Sequence, residues 1–370
     1  MNRLRILFLA PNPIGSATTR YRVAQYLQGL ASAGIDGTLV PFLSPQLFET
    51  MYQKRQLSRK VVGILAAFRQ RLLLTLRAGQ FDAVFISREA MTLGPPVIEW
   101  LLANLLHLPV IFDFDDATWV EYLSPTYGNL TRFIKFPGKT STIIKLSSAV
   151  IAGNGYLADY ARQFNQNVHI IPTVVDTNLF QATLPTPRKL PHPIIGWIGS
   201  HSTSQYLSLI TGALQAVARR HRFVFRVIGA GREIRIAGVE VENVTWKMES
   251  EMADFRGLDI GVYPIVTDDW SMGKCAFKAI QYQAAGVACI SSPVGMTREV
   301  ITDGVDGVLA ATEDDWISGL ERLLVDVEWR KQLASAGAQT ARERYSLEVH
   351  APRLAGIIRG VVASGGGLAR

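Results

Sequence analysis

The stretch from Gly273 to Tyr282, GKCAFKAIQY, gathers residues able to hold an anion. Lys274 and Lys278 stand four apart, so on a helix they share a face, and Gln281 lies one turn beyond Phe277. A helix N-terminus is already the positive end of the macrodipole, with amides that have no partner inside the helix. Cations in that first turn disfavour the helix unless something negative binds there. Two lysines and free amides suit a diphosphate better than a single charge. Gln281 is placed to meet a ribose hydroxyl, or is a plain surface polar residue.

Two other junctions carry a related signal. The run IIGWI is followed by Gly199, Ser200, His201, Ser202 and Thr203 just before a helix. Small residues let backbone approach a ligand, although Ser202 or Thr203 reads equally as an N-cap. The run FVFRVIG ends in Gly229-Ala230-Gly231-Arg232, which lacks the third glycine and downstream acid of a dinucleotide fingerprint. Trp246, after NVT, reads as a packing residue first and a nucleobase platform second. In the first half of the chain, FDFDDATW brings Asp113, Asp115 and Asp116 to one strand end. Such carboxylates hold sugar hydroxyls, bind a metal or act as a base; the bland reading is a cap and a turn. Arg88, closing FDAVFIS, is a counter-charge for them. Gly15, in a small-residue turn followed by Arg20 and Arg22, is a second place for close approach.

The elements that must position these residues alternate. LRILFLA, GTLVPF, FDAVFIS, LPVIFDF, SAVIAG and VHIIP read as strands separated by helical patterns, with one helix running through Tyr26 and Leu30 to Gly34 and another from Pro96 to Leu106. After ATLPTPRKLPHP the alternation restarts with PIIGWIG, a helix from about Ser204 to Arg219, FVFRVIG, GVEVENVTW, LDIGVYP, a helix opened by Gly273-Lys274, GVACISS and GVLA. A helix pair from Asp314 to Val362 closes it. Strands alternating with helices predict parallel sheets covered on both faces. The expected organisation is a Rossmann-like domain over 1–182, a proline linker over 183–193, a second Rossmann-like domain over 194–344, and a C-terminal helix over 345–370 that crosses back and ends in a flexible tail. Two α/β domains facing across a cleft place ligands beyond the carboxyl ends of the strands.

Bulk properties narrow the class. At 370 residues, 48% hydrophobic and 19% charged, the chain is globular and long enough for two domains. Cys275 and Cys289 are its two cysteines, which excludes a disulfide framework and fits a reducing cytoplasm. The six histidines are scattered, so no metal site is expected. No window is apolar enough to span a membrane. The net charge of +7 is uneven, and no acid occurs between Glu49 and Asp82. Lys54, Arg55, Arg59, Lys60, Arg69, Arg71 and Arg77 fall there among VVGILAAF and LLLTL. Residues 54–77 therefore read either as a core helix with a basic face or as a segment lying on an anionic membrane. A nucleic-acid partner is not expected.

With these motifs in hand, the second half resembles the group-one (family 4-like) glycosyltransferases of the GT-B fold. GKCAFKAIQYQAAGVACISSPVGMTREVITDGVDGVLA resembles their donor-site helix with the strand and turn after it, and VIGAGRE and NVTW through ADFRGLDIGVYP fit in order and spacing. FDFDDATW resembles a feature of a bacterial subgroup. The chain departs from the family at Gly273 and Gln281, where members commonly carry two glutamates. The resemblance implies an enzyme, moving a hexose-type sugar from a nucleotide-diphosphate sugar to a glycan or lipid-linked acceptor, with retention, without cofactor or metal, in cell-surface polysaccharide assembly. It implies donor contacts at Gly15, Gly199, Ser200, Arg232, Gly273, Lys274, Cys275, Ala276, Phe277, Lys278 and Gln281. Asp115, Asp116, Lys274 and Lys278 are then the candidate catalytic residues, and Arg20, Arg88 and Asp113 the acceptor side. The expected place is the cytoplasm, peripheral to the inner face of the membrane. A sugar-nucleotide epimerase of the same fold, or a nucleotide-sugar-binding protein without activity, is the alternative.

Overall fold

The structure is a computed structural model that describes residues 3–51, 57–120, 136, 138–182 and 192–365. Lys54 and Arg55, most of the proline linker and the tail lie outside the described residues. The chain forms two compact units, Met1–Thr173 with Leu347–Arg370, and Val174–Ser346.

The first unit is built on a six-stranded parallel sheet in the order β2-β1-β3-β4-β5-β6. Its strands are β1 Leu4–Ala10, β2 Ile35–Pro41, β3 Ala83–Ser87, β4 Val110–Phe114, β5 Ala149–Ala152 and β6 Val168–Ile170. β3 and β4 are buried along their whole length, which is why they read as unbroken apolar runs rather than as alternation. Register follows Phe8 beside Phe85 and Asp113 beside Ser87. The expected helix through Tyr26 is broken into Ala17–Arg22, a 3-10 turn and Leu27–Ser32. The expected Pro96–Leu106 helix turns from α to π at Leu101.

The second unit repeats the plan, with β7 Ile194–Ile198, β8 Val224–Ile228, β9 Glu240–Val244, β10 Ile260–Tyr263, β11 Ala288–Ser291 and β12 Val308–Leu309. The order is β12-β11-β10-β7-β8-β9, again all parallel. Ile195, Trp197, Phe225, Ile260 and Ile290 form its core with Leu214, Trp316 and Leu320 from covering helices. Both sheets have strand orders that reverse, between β1 and β3 in the first unit and between β7 and β10 in the second. Those reversals are where open α/β sheets take ligands.

Three expectations on extent are corrected. The Ser204–Arg219 helix starts as a 3-10 turn, Ser204–Ile210, and becomes α over Thr211–Ala218. The terminal helix pair is three helices, Glu313–Val325, Val327–Arg344 and Leu347–Gly365. The first unit ends at Thr173, ahead of 182, because the Thr177–Ala182 helix is held by the second unit. Phe180 stands edge-on to Phe255 at 5.9 Å, and its carbonyl accepts from Arg256 Nη1 at 2.7 Å. Leu347–Gly365 belongs to the first unit, burying His350, Leu354, Ala355, Ile358 and Val361 at helical spacing.

Candidate functional site

In the second unit the candidate donor residues gather at the carboxyl ends of β7, β8 and β10. Gly199 continues the β7–β8 ladder by donating its N–H to the Ile228 carbonyl at 3.0 Å. A Cβ there would stand 2.2 Å from the Trp197 ring, so only glycine fits. Gly229, at φ 81°, passes so near that a Cβ would meet the Gly199 carbonyl at 2.5 Å. Gly231, at φ 68°, lies against His201 in the same way. The mutual approach of these two turns accounts for their glycines. Toward solvent they present Ser200, whose hydroxyl is 2.9 Å from that of Ser202, and the exposed Arg232. Trp246 is half-buried beside Gly229.

On the other side of the strand reversal, β10 leads into a short helix, Asp269–Met272, capped by Asp268, whose carboxylate accepts from the Ser271 N–H at 2.7 Å. Gly273 ends that helix instead of opening the next one. The next helix is Phe277–Ala284, and Ala276 enters it with a left-handed φ of 49°. That conformation costs about 1 kcal/mol or more in a residue with a Cβ, and such outliers gather at ligand sites. The correction moves Lys274 into the turn before the helix and leaves Lys278 in its first turn. Cys275 and Ala276 are buried and Phe277 is half-buried.

Each lysine is propped on an aromatic ring. Lys274 Nζ stands 5.6 Å from the Trp270 centroid, and Lys278 Nζ 5.4 Å from that of Phe255. Lys278 also donates to Gln281 Oε1 at 3.0 Å. Gln281 itself is fully buried, which corrects its expected place beside a ribose. Its carboxamide orients Lys278 instead. The helix is anchored by Tyr282, whose hydroxyl accepts from the Ile198 N–H at 3.1 Å and faces the Gly196 and Val262 carbonyls. Gly261 makes room for that ring, since a Cβ would come within 2.4 Å of it. None of Phe255, Trp270 and Tyr282 was singled out from sequence: Phe255 and Tyr282 meet partners far along the chain, and the ring of Trp270 gains its role only when the turn folds Lys274 back over it.

The TREVITDGVDG stretch builds its own turn. Asp306 accepts from the Thr302 N–H at 2.7 Å and from the Thr340 hydroxyl at 2.8 Å, and Asp303 accepts from the Leu309 N–H. Gly295, at φ 54°, brings the loop after β11 up to the backbone of Ser271 and Met272.

In the first unit the acids lie at the end of β4, beside the reversal between β1 and β3. Asp113 is buried and pairs with Arg22 through both oxygens, Nε donating at 3.1 Å and Nη2 closer still. Arg22 also donates to the Ile171 carbonyl at 2.8 Å. Burial works against its charge, but Asp113 overcomes this and holds the guanidinium firmly protonated. Asp113 thus serves the interior, not an acceptor. Arg88, left-handed at φ 65°, reaches Asp116 at 3.1 Å. Burial lifts the Asp115 carboxyl to about 6, and the charge of Asp116 pushes the same way. Arg20 lies over the Tyr21 ring at 4.8 Å, and Gly15 is exposed in the turn after β1, with open space where a Cβ would stand. Gly15 belongs to the first unit. Among the described residues no three His, Cys, Asp or Glu side chains come together as metal ligands.

Residues 192–326 match the family described as Glycosyl transferases group 1, a stretch that runs from β7 to the Glu313–Val325 helix. No curated protein sequence matches the chain. Among solved structures, the sucrose-phosphate synthase of Thermosynechococcus elongatus is similar at a TM-score of 0.71 and 15% identity, over 98% of this chain and 100% of that one. A glycosyltransferase from Rickettsia africae ESF-5 is similar at 0.68 and 14%, over 98% and 99%. Anabaena HepE, solved in complex with UDP-glucose, is similar at 0.66 and 13%, over 97% and 100%. The fold is GT-B, and the second unit carries a group 1 glycosyltransferase domain.

Proposed function

We propose that the protein moves a sugar from a nucleotide-diphosphate donor to a glycan or lipid-linked acceptor, with retention and without a metal, in cell-surface polysaccharide assembly. What supports this reading is that β7 and β10 are neighbouring parallel strands, the first leading into the Gly199–Thr203 turn and the second into the segment that carries Lys274 and Lys278. In the transfer the bond from the anomeric carbon to the diphosphate breaks, and one to the acceptor oxygen forms on the same face. The acceptor's proton goes to the departing phosphate oxygen. Negative charge grows on the diphosphate as it leaves, and ammonium groups fixed beside it stabilise that stage more than the ground state. The aromatic props and Gln281 hold the ammonium groups there in advance. Asp115 and Asp116 act on the acceptor side, positioning the hydroxyl. A lipid-linked acceptor would place the enzyme at the inner face of the membrane.

The test is a thermal-shift screen of UDP, GDP, ADP, CMP and dTDP on the wild type, Lys274→Ala and Lys278→Ala. UDP is tried first, since HepE was solved with UDP-glucose. One nucleoside diphosphate is expected to raise the melting temperature of the wild type, with the shift lost in both variants. No stabilisation by any nucleotide, or shifts equal in all three proteins, would remove the phosphate site from the reading.

A further inference from the structure

The Leu57–Leu76 helix of the first unit buries Lys60, Arg71 and Thr75 beside Ala67 and leaves large apolar side chains exposed. Lys60 and Arg71 are buried at 6% and 2% exposure. Lys60 Nζ donates to the Met51 carbonyl at 3.4 Å, and Arg71 Nη2 donates to the Val40 carbonyl at 3.0 Å. Thr75, also inside, donates to the Arg71 carbonyl at 2.8 Å. Gly63 lets Leu47 in close, since a Cβ there would stand 2.7 Å from it. Leu57, Val62, Leu65, Phe68, Leu73 and Leu76 face outward, each between 41% and 75% exposed. At about 100° per residue these six succeed one another around a single arc of about 160°. Arg69 falls within the arc, and Arg59 and Arg77 at its edge, all three exposed. Trp100, on the Val97–Trp100 helix that packs against this one, is itself 52% exposed.

A water-facing helix with this polarity is unfavourable for a chain on its own, because contiguous apolar surface of this size is normally covered. We propose that the outer face of Leu57–Leu76 lies on an anionic lipid surface. Charge decides the occupant. The helix carries no acid at all, so a second copy of the same face would set Arg59, Arg69 and Arg77 against their own kind. Lipid headgroups offer phosphates to the arginines and acyl chains to the leucines in one layer, and long arginine stems reach from one to the other. The helix is about 30 Å long, and among the described residues no helix is apolar enough to cross a membrane. The geometry is one of lying flat, not of spanning. The inference deepens the location in the reading above but stands independently of sugar transfer.

Sedimentation of the full chain with vesicles of phosphatidylethanolamine and phosphatidylglycerol, against phosphatidylcholine alone, tests it. Binding is expected to the anionic vesicles at low salt, weakening as salt rises. Val62→Glu with Leu65→Glu should cut it at least tenfold, and Arg59→Gln with Arg69→Gln and Arg77→Gln by about a hundredfold. All variants are expected to keep the wild-type melting temperature, since the altered side chains are exposed. Failure of the wild type to bind, or undiminished binding by the double-glutamate variant, overturns the proposal. So does a wild-type dimer in sedimentation velocity that the double-glutamate change dissociates. Vesicle binding without any nucleotide-induced shift would sink the transferase reading and leave the docking surface standing.

Discussion

Asp115 shows how one residue's surroundings set both its stability and its chemistry. Burial raises its carboxyl to about 6, with the Asp116 charge adding to this and Arg88 and Arg22 opposing it. In the unfolded chain the group titrates near 3.9. Between about pH 4 and pH 6 the folded state therefore binds more protons than the unfolded one, so stability falls as pH rises through that window. Asp115→Asn removes this cost, and above pH 6 it should stabilise the fold by about 3 kcal/mol. The gain should vanish near pH 4, and thermal melts at both ends of the window check it. A variant equally stable relative to wild type at both ends would place Asp115 in no such environment. The same substitution should abolish or strongly slow transfer, and the wild-type rate should fall below about pH 6 if the ionised form holds the acceptor. At this scale the sequence shows charge but not its partner. Lys274 and Lys278 stand out because cations near a helix start are unusual. Gln281 is spaced for a ligand, but its nearer partner is Lys278, three positions back, and both turn the same way. Arg22 and Asp113 meet across 91 positions, which no local pattern reveals.

Strands were the most legible elements, for a physical reason. A parallel strand covered on both faces must be apolar throughout, so AVFIS and IIGWI announce themselves. Helix boundaries depend instead on single backbone torsions. The donor-side helix begins at Phe277 because Ala276 is left-handed, a conformation alanine does not advertise. What fixes this helix is Tyr282, seated between Gly196 and Gly261 on neighbouring strands. Tyr282→Phe leaves the Ile198 N–H without its buried acceptor and should cost about 1–3 kcal/mol. Gly261→Ala drives a methyl against the same ring and should cost about 1–3 kcal/mol through displacement of the helix. The two differ in readout. If the helix positions the lysines, Gly261→Ala should also weaken nucleotide binding, measured by titration calorimetry, by more than Tyr282→Phe does. Equal affinities in all three proteins would mean that the lysines hold their places without the helix.

Over the whole molecule, the proline-rich stretch pointed to a boundary near residue 183, yet the compact units divide at Thr173 and Ser346. The reason is that the outgoing and returning chains run together at that place. Val175 bridges Ser346 in parallel, and its N–H donates to the Tyr345 carbonyl at 3.1 Å. Proline content marks where regular structure stops, whereas the division of a chain follows where its contacts stop. The returning helix then completes the first unit. Ala351 packs on Gly29, where a Cβ would lie 3.4 Å away, and Arg359 donates to the Ala33 carbonyl. Ile358, fully buried, is the deepest aliphatic side chain of that helix. Ile358→Ala should destabilise the first unit by about 2–5 kcal/mol, the range for emptying a buried aliphatic site. Because the second unit has its own core, hydrogen exchange should accelerate along β1 to β5 while β7 to β11 stay protected. The nucleotide-induced thermal shift should persist, since Lys274, Lys278 and the Gly199–Thr203 turn all belong to the second unit. Exchange that accelerates equally in both sheets would mean that the two units unfold as one cooperative body. In that case the first unit could not loosen around an acceptor without cost to the donor side, and the assignment of donor and acceptor to separately stable units would fail.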